Sequence, residues 1–258
     1  MDLKDVIYEK KDGVARIIIN RPEAYNAFTT NTVKEMSLAF EDADQDFSIR
    51  VAVLRGSGDK AFCTGGDAKE SSKGGYDKEV EYWHNRLHHA IRNMSKPVIA
   101  AVNGFAIGGG HILHVICDIS IASENARFAQ FGPKVGSFDA GFGAAYLSRV
   151  VGEKKAREIW FFCRQYSARE ALEMGLVNRV VPLEELDSEV DRWCQEIIEK
   201  SPTALKFLKF AFNADTDHIY GLENIATAAV KLYWPTEEAM EAKISYKEKR
   251  KPDFSRFL

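Results

Sequence analysis

The stretch that decides the fold occupies positions 96–143 and reads KPVIAAVNGFAIGGGHILHVICDISIASENARFAQFGPKVGSFDAGFG. It opens with a short apolar run at 98–102, which predicts a buried strand. A triple glycine at 108–110 follows, and the apolar residues of HILHVICD after it predict a short helix surrounded by protein. The stretch therefore predicts a strand, a glycine turn and a buried helix within an α/β fold.

The glycine turn has three interpretations. One is close packing of the helix on a sheet. The second is a dinucleotide site or a P-loop, but GFAIGGGH lacks the full G-x-G-x-x-G spacing and no Gly-Lys-Ser/Thr follows it. The third is an oxyanion site, because the first N–H groups of a helix have no partners inside the helix and glycines let a ligand oxygen approach them. The local sequence favours the third.

A second glycine turn supports the oxyanion interpretation. The apolar run at 51–54 predicts another buried strand, and GSGDKAFCTGGD follows it. Gly65 and Gly66 in this segment can offer a second N–H group to the same oxygen. Two such donors would stabilise an enolate or a tetrahedral oxyanion.

Four segments, AFCTGGD, KPVIAAVNGFAIGGGH, CDISIAS and GLVNRVVP, resemble the crotonase (enoyl-CoA hydratase/isomerase) superfamily, and the resemblance covers nearly the whole chain. It implies a crotonase-type ββα spiral core over 1–200 and a C-terminal helical region over 201–258, used in oligomer packing and site completion. It implies a CoA thioester as substrate, with its oxygen held by the N–H groups of Gly66 and Gly109. A homo-oligomer, either a trimer or a dimer of trimers, is also implied.

Composition sets the outer limits. The chain has 258 residues, of which 45% are hydrophobic, enough for one large α/β domain or a domain with an appendage. A net charge of −3 predicts no nucleic-acid partner. The four cysteines lie far apart without metal-ligand spacing, which favours reduced core thiols. No membrane association, metal or tightly bound cofactor is expected, and the expected location is the cytoplasm.

Periodicity and capping signals predict the remaining elements. Two strands joined by a turn at 11–13 open the chain, and a helix begins near Thr29 or Thr30. A helix over about 78–94 carries His84, His88 and His89, which lack carboxylates at metal-ligand spacing and are predicted to be surface or packing residues. The C-terminal part is predicted to be helical, with a helix start at 201–202 and an interruption at Pro235.

The catalytic base is less evident. His111 and His114 lie on the glycine helix, but a histidine in such an apolar segment is more often a hydrogen-bonded core residue. The resemblance implies that hydratases of the family place two glutamates at positions that correspond to Ile112 and Gly132 here. A simple enoyl-CoA hydratase is therefore not expected.

Longer segments, GGGHILH, SFDAG, EKKAREIWFFCRQY, FNADTD and KRKPDFSRF, resemble the 1,4-dihydroxy-2-naphthoyl-CoA synthases, with the 2-ketocyclohexanecarboxyl-CoA hydrolases as a near relative. Both make or break a C–C bond through a thioester enolate. The resemblance implies that Ser137 and Asp139 act on the second carbonyl or its proton. It also implies a bicarbonate ion, bound near Gln130, Gly132 and Trp160, as a base. Ring closure is the first expectation and ring opening the alternative.

The resemblance implies several substrate contacts and contains two departures. The NRP loop with Arg21 would line the CoA pocket, although a plain turn is an equal alternative. The polar segment after the second glycine turn is expected to be a mobile loop over the site, with Tyr76 as its aromatic residue. In it, Lys69 matches a basic residue that meets a substrate carboxylate, but Ser71 replaces an arginine.

The second departure lies near the C-terminus. Trp234 stands where the synthases have a catalytic tyrosine delivered by a neighbouring subunit, and a tryptophan N–H cannot act as a phenolic acid. Lys249 either contacts the CoA phosphates or is one more solvated charge. A non-catalytic homologue that binds acyl-CoA or RNA is a further alternative.

Overall fold

The structure of the protein, a computed structural model, describes residues 1–70 and 78–257. Its strands alternate with helices along most of the chain. The strands are β1 (Val6–Lys11), β2 (Val14–Ile19), β3 (Val51–Gly56), β4 (Ala61–Cys63), β5 (Val98–Val102), β6 (Phe105–Ile107), β7 (Ile119–Ser123), β8 (Arg127–Ala129), β9 (Tyr166–Ser167) and β10 (Arg179–Val181). The helices are α1 (Thr30–Gln45), α2 (Lys78–Asn93), α3 (Gly109–Ile116), α4 (Leu147–Val151), α5 (Glu153–Phe162), α6 (Ala168–Glu173), α7 (Leu186–Ile198), α8 (Pro202–Ala214), α9 (Ile219–Tyr233) and α10 (Glu237–Lys247).

A six-stranded sheet forms the centre, in the order β1-β2-β3-β5-β7-β10. β1 and β2 are antiparallel, and the remaining neighbours are parallel. Asp12 and Gly13 join the first two strands, both with positive φ (51° and 81°), as a tight hairpin turn requires. The predicted strands and turn are confirmed.

A second sheet of four strands has the order β4-β6-β8-β9, with β4, β6 and β8 parallel. The sequence analysis did not predict it, because strands of two or three residues are too short to show periodicity. One consequence corrects the prediction for the central stretch. The triple glycine does not follow the strand at 98–102 directly, since β6 lies between them.

Alternating residues of the parallel strands serve two cores. In β5, Val98, Ala100 and Val102 face the larger core under α1, α2 and α3, while Ile99 and Ala101 face a smaller core under α7. Because both faces are covered, these strands are apolar throughout. The sheet is therefore a rigid support for the turns at its carboxyl ends.

Helix ends follow the predicted signals. The side chain of Thr29 caps α1 in a capping box with Thr32. Ser201 caps α8, with Pro202 in the first turn. α9 ends at Tyr233, two residues before Pro235, and α10 begins after a Thr236 cap. The four cysteines are buried and free, as predicted.

The last two helices fold back over the core. α9 packs on a π-helical turn at Gly141–Tyr146, and α10 contacts a 3-10 turn at Gly132–Lys134. The C-terminal region therefore touches the segment in which the sequence predicted the acid–base residues. Within the described residues, no helix is long and apolar enough to cross a membrane.

Candidate active site

The two glycine turns meet at one edge of the second sheet. β4 runs parallel to β6, so the turns that follow both strands lie side by side. Gly65 and Gly108 have positive φ (87° and 57°), a backbone conformation that residues other than glycine rarely adopt. A Cβ atom on Gly65 would lie 3.1 Å from the backbone nitrogen of Gly109. The predicted convergence of the two turns is thus present.

Phe28 holds the turn at Gly65 and Gly66 in place. Its N–H donates to the carbonyl of Gly65 (2.8 Å), and its carbonyl accepts from the N–H of Asp67 (2.9 Å). These bonds pass over Gly66, which is exposed. Gly109 is the first residue of α3 and is half-buried. Within residues 1–70 and 78–257, neither the N–H of Gly66 nor that of Gly109 donates a hydrogen bond.

The three consecutive glycines meet different constraints. Gly108 needs its positive φ, and a Cβ there would meet nothing within 4 Å. A Cβ on Gly110 would lie 2.0 Å from the carbonyl oxygen of Cys63, so this glycine is required for close packing of α3 on β4. Gly109 lies between them, and its N–H donates no hydrogen bond within the described residues. The packing and oxyanion interpretations therefore apply to different residues of the same triplet.

Arg21 stabilises the turn at Gly65 and Gly66. Its guanidinium donates to Asp67 (Nη2 to Oδ2, 2.9 Å) and to the carbonyl oxygen of Ala27. Both side chains of the Arg21–Asp67 pair are largely buried. Asp67 in turn accepts from the N–H of Lys69 (2.8 Å), which is exposed. Arg21 thus connects the NRP loop to the turn at Gly65 and Gly66.

Ser137 and Asp139 lie on a segment held by backbone hydrogen bonds. The N–H of Ser137 donates to the carbonyl of Gly132 (2.9 Å), and the N–H of Gly143 donates to Oδ1 of Asp139 (2.8 Å). Burial raises the pKa of Asp139, while the charge of His88 and the Gly143 N–H act in the opposite direction. Asp139 is therefore a carboxyl group with an elevated proton affinity, as general acid–base catalysis requires.

Gly132 and Trp160 fit tightly together. A Cβ on Gly132 would lie 2.6 Å from the carbonyl oxygen of Ser137 and 2.9 Å from Cζ3 of Trp160. The indole N–H of Trp160 donates to the carbonyl of Gly143 (2.5 Å). No side chain larger than hydrogen fits at 132 unless this segment moves.

Gln130 is buried beside the glycine helix. Its amide donates to the carbonyl of Gly108 (3.4 Å) and contacts Nδ1 of His111 (3.2 Å). His114 contacts Ser120 (Nδ1 to Oγ, 3.1 Å). Burial lowers the pKa of His111 to about 3 and that of His114 well below its ordinary value, so both rings are neutral. The two histidines are core residues, as the sequence indicated.

Aromatic and histidine rings pack in sequence from Gly109 towards the segment that carries Asp139. The Phe28 ring lies against Gly109 and packs edge-on against His84 (centroids 4.9 Å apart). The His84 ring lies 6.3 Å from that of His88, and the charge of His88 acts on Asp139. Ring contacts thus run from Gly109 to His88, whose charge acts on Asp139.

The sequence did not indicate that His88 takes part in an ion pair. It was predicted to lie on the surface or to serve packing, but it is buried and its Nδ1 lies 2.5 Å from Oε1 of Glu223. The two residues are 135 positions apart, so no local signal connects them. His89, by contrast, is exposed, as predicted.

The C-terminal helices contact the segment around Asp139 within the same chain. The rings of Tyr233 and Phe138 lie 5.7 Å apart. A Cβ on Gly136 would lie 2.3 Å from the carbonyl oxygen of Ala239, so α10 also packs closely here. Tyr233 therefore contacts the predicted catalytic segment of its own chain.

Two further predicted substrate contacts, Trp234 and Lys249, lie among the described residues. The half-buried ring of Trp234 lies under Nζ of Lys243, 3.5 Å from the ring centroid. Lys249 is exposed after the end of α10 and has a positive φ of 56°. Tyr76 and the predicted mobile loop around it, including Ser71, lie outside the described residues.

A family model and several solved structures are similar to this chain over most of its length. The sequence model of the enoyl-CoA hydratase/isomerase family matches residues 9–256. An enoyl-CoA hydratase from Mycobacterium avium subsp. paratuberculosis K-10 is 27% identical, with a TM-score of 0.88 and coverage of 98% of this chain and 99% of that one.

Two further solved structures are similar over most of both chains. An enoyl-CoA hydratase/isomerase from Xanthobacter autotrophicus Py2 is 31% identical (TM-score 0.83), covering 96% of this chain and 93% of the other. One from Pseudoalteromonas atlantica T6c is 26% identical (TM-score 0.86), covering 97% and 100%. The chain therefore belongs to the enoyl-CoA hydratase/isomerase family, the crotonase superfamily, and has the mixed α/β crotonase fold with C-terminal helices.

Proposed function

We propose that the protein is an acyl-CoA enzyme that makes or breaks a C–C bond through a thioester enolate. Family membership supports an acyl-CoA substrate. The observation that supports this reaction is Asp139, a carboxyl group with a raised pKa that ring contacts and the charge of His88 connect to Gly109. Within the described residues the N–H groups of Gly66 and Gly109 donate no hydrogen bond, and the positions expected to hold the hydratase glutamates have no carboxylate.

Hydration of a double bond needs a base for the water and an acid for the carbon. Position 112 holds a buried isoleucine in the core. Position 132 holds a glycine whose hydrogen faces the Ser137 carbonyl and the Trp160 ring at distances that exclude a side chain. A pair of carboxylates across one bond is thus missing at these two positions. A single acid–base group is better suited to forming or protonating an enolate.

The enolate itself needs electrostatic support. When a thioester loses its Cα proton, negative charge develops on its oxygen, and two backbone N–H groups aimed at that oxygen stabilise it without reorganisation. Gly66 and Gly109 are the proposed donors. Asp139, with Ser137 two residues before it, is proposed to move the proton at the carbon or at the second carbonyl.

Within this chemistry we propose intramolecular ring closure of the 1,4-dihydroxy-2-naphthoyl-CoA synthase type. The enolate carbon attacks a second carbonyl of the same substrate, and water leaves if that carbonyl belongs to a carboxylic acid. The alternative is ring opening, in which water adds to a β-carbonyl, the C–C bond breaks, and the resulting enolate takes a proton. Ser71 in place of arginine favours the alternative, because a substrate carboxylate would lack one charged partner.

The resemblance also implies a bicarbonate ion near Gln130, Gly132 and Trp160. An anion near Gly132 would have to displace two present hydrogen bonds, since the Gln130 amide donates to Gly108 and the Trp160 indole to Gly143. In the present arrangement these donors do not fit an anion. No step above depends on it.

The test offers purified protein o-succinylbenzoyl-CoA and 2-ketocyclohexanecarboxyl-CoA separately, with and without bicarbonate, and identifies products by mass. Loss of water from the first substrate supports ring closure. Addition of water to the second, with no change in the first, replaces it by ring opening. Turnover of neither substrate, with retained acyl-CoA binding, favours a non-catalytic homologue.

A homo-oligomer, a trimer or a dimer of trimers, is also proposed. α8 turns Lys209 inward to Asp118 (Nζ to Oδ2, 2.7 Å) and leaves apolar side chains exposed, including Phe207 at 65% and Phe212 at 77%. Exposed apolar surface of this kind is typical of an interface. Light scattering coupled to size exclusion measures the mass, and a monomer of 29.0 kDa would contradict the proposal.

A further inference from the structure

A buried ion pair lies next to the proposed acid–base residue. His88 of α2 is 7% exposed and Glu223 of α9 is 4% exposed, and Nδ1 of the histidine lies 2.5 Å from Oε1 of the glutamate. The second oxygen, Oε2, lies 3.5 Å from Nε2 of His89. Removing two charges from water costs free energy, so a buried ion pair calls for an explanation.

The pair is built into the turn that holds Asp139. The His88 ring packs edge-on against Phe142, with centroids 5.7 Å apart. Phe142 precedes Gly143, whose N–H donates to Asp139. On the other side, a Cβ on Gly141 would lie 2.9 Å from the Cα of Glu223, so α9 packs directly on the same turn.

Among the described residues, His88 is the cation that acts on Asp139. On its own helix, burial lowers the pKa of His84 to about 3, so that ring is neutral. Arg92 is buried under the rings of Phe142, Tyr146 and Tyr220 and donates to Asn213 and Thr216.

Glu223 and His88 each favour the charged form of the other. Although burial opposes ionisation, His88 lowers the pKa of Glu223 to about 2. In return, Glu223 and Asp139 raise the pKa of His88 against the effect of burial. Of the groups on α9, Tyr220 also faces this region, and burial raises its pKa to about 12, so it stays neutral. His88 thus interacts with both carboxyl groups, with Glu223 by direct contact and with Asp139 through its charge.

We infer that His88, fixed by Glu223, is a positioning residue that keeps Asp139 ionised and able to accept the substrate proton. The inference rests on the proposed function, because it assigns His88 a part in the same site. His88 does not touch the reacting atoms in this account. It offsets the burial of Asp139, and Glu223 holds the imidazolium in place while its own charge opposes the effect.

The test compares three variants with the wild type: His88→Gln, the double variant His88→Gln/Glu223→Gln, and His218→Gln as a matched control. His218 is an exposed histidine outside the cluster. In His88→Gln, Asp139 loses the cation and faces an unpaired Glu223. The acid limb of the pH profile of kcat should therefore move up by about one pH unit or more. In the double variant the repulsion from Glu223 is gone, so the limb should return part of the way.

A direct titration separates this inference from the proposed reaction. The carboxyl carbon of Asp139 is followed by 13C NMR against pH without substrate, and its signal is assigned by its absence in Asp139→Asn. The same upward shift in His88→Gln supports the inference even if neither CoA thioester is turned over, an outcome that overturns the proposed function alone.

A merely structural ion pair gives a different pattern. Thermal unfolding is measured for all variants so that unfolded protein is excluded. A folded His88→Gln protein with an unshifted Asp139 titration would overturn the inference. So would a double variant that shifts further than His88→Gln.

Discussion

The indole N–H of Trp160 donates a 2.5 Å hydrogen bond to the carbonyl of Gly143, the residue whose own N–H binds Asp139. Gly143 therefore connects a core helix to the proposed acid–base group through two adjacent peptide units. Because Gly143 is buried, its carbonyl would be left without a partner if the indole were removed.

Trp160→Phe should therefore lower both stability and activity. Leaving the Gly143 carbonyl unsatisfied costs about 1–3 kcal/mol of unfolding free energy, measured by urea denaturation. Misplacement of Asp139 should lower kcat roughly 10- to 100-fold. Trp193→Phe is the matched control, since that indole donates to Glu189 on α7 (3.0 Å). Equal kinetic losses in both variants would contradict a specific role for Trp160.

Asp139→Asn should remove activity while preserving or improving stability. The loss of proton transfer lowers kcat by at least about 10²-fold. Because the pKa of Asp139 is raised in the fold, ionising it opposes folding as pH rises, and asparagine removes that cost at neutral pH. The measurements are kcat and the midpoint of thermal unfolding at pH 7, with the exposed Asp215→Asn as control. A near-normal kcat would refute the assignment.

The N–H of Gly109 is tested by Gly109→Pro. Proline is tolerated in the first turn of a helix, and it removes the N–H. Turnover should fall by about 10²–10³-fold, with acyl-CoA binding measured by calorimetry as a second readout. The ring of Phe28 must shift to accommodate the new side chain, so circular dichroism has to verify the fold first. Full activity in a folded variant excludes the oxyanion role.

Gly110 and Gly221 make a matched pair for packing. A Cβ on Gly110 would collide with the Cys63 carbonyl at 2.0 Å, whereas a Cβ on Gly221 would meet nothing within 4 Å. Gly110→Ala should cost roughly 1–3 kcal/mol or more of stability. Gly221→Ala, in the helix α9, should add about 0.5–1 kcal/mol. Chemical denaturation decides, and similar values for the two variants would contradict the packing account.

The buried histidines of α3 should make the protein sensitive to acid. The ordinary pKa of His111 is 6.5, and burial lowers it to about 3, so its contribution is complete above pH 6.5 and falls as pH falls. The slope is about 1.4 kcal/mol per pH unit for each such group. In His111→Asn, the stability lost between pH 6.5 and 5 should be smaller by about 2 kcal/mol. Parallel declines would show that His111 protonates in the folded state.

Much of the fold could be predicted because its signals are local. The apolar run at Val98–Val102, the Thr29 cap and the interruption at Pro235 each depend on a few neighbouring residues, and the structure agrees with all three. The second sheet could not be predicted, since its strands are too short for a period to appear.

The candidate site was predictable only in part, for the same reason. The two glycine turns and the Ser137 and Asp139 segment are visible as motifs. The ion pair of His88 with Glu223 joins positions 135 residues apart, and no pattern in either helix indicates it. Likewise, the sequence could not separate Gly109 from Gly110, because only the position of the Cys63 carbonyl distinguishes them.

The contacts of α9 and α10 with the Asp139 segment have a consequence for how the molecule is made. Glu223, Tyr233 and Ala239 leave the ribosome about a hundred residues after the turns they pack against. The sheets can assemble while the chain is still growing, but the proposed acid–base segment reaches its final arrangement only after α9 and α10 have been synthesised. In a nascent chain the two sheets can therefore form before the proposed acid–base segment is packed.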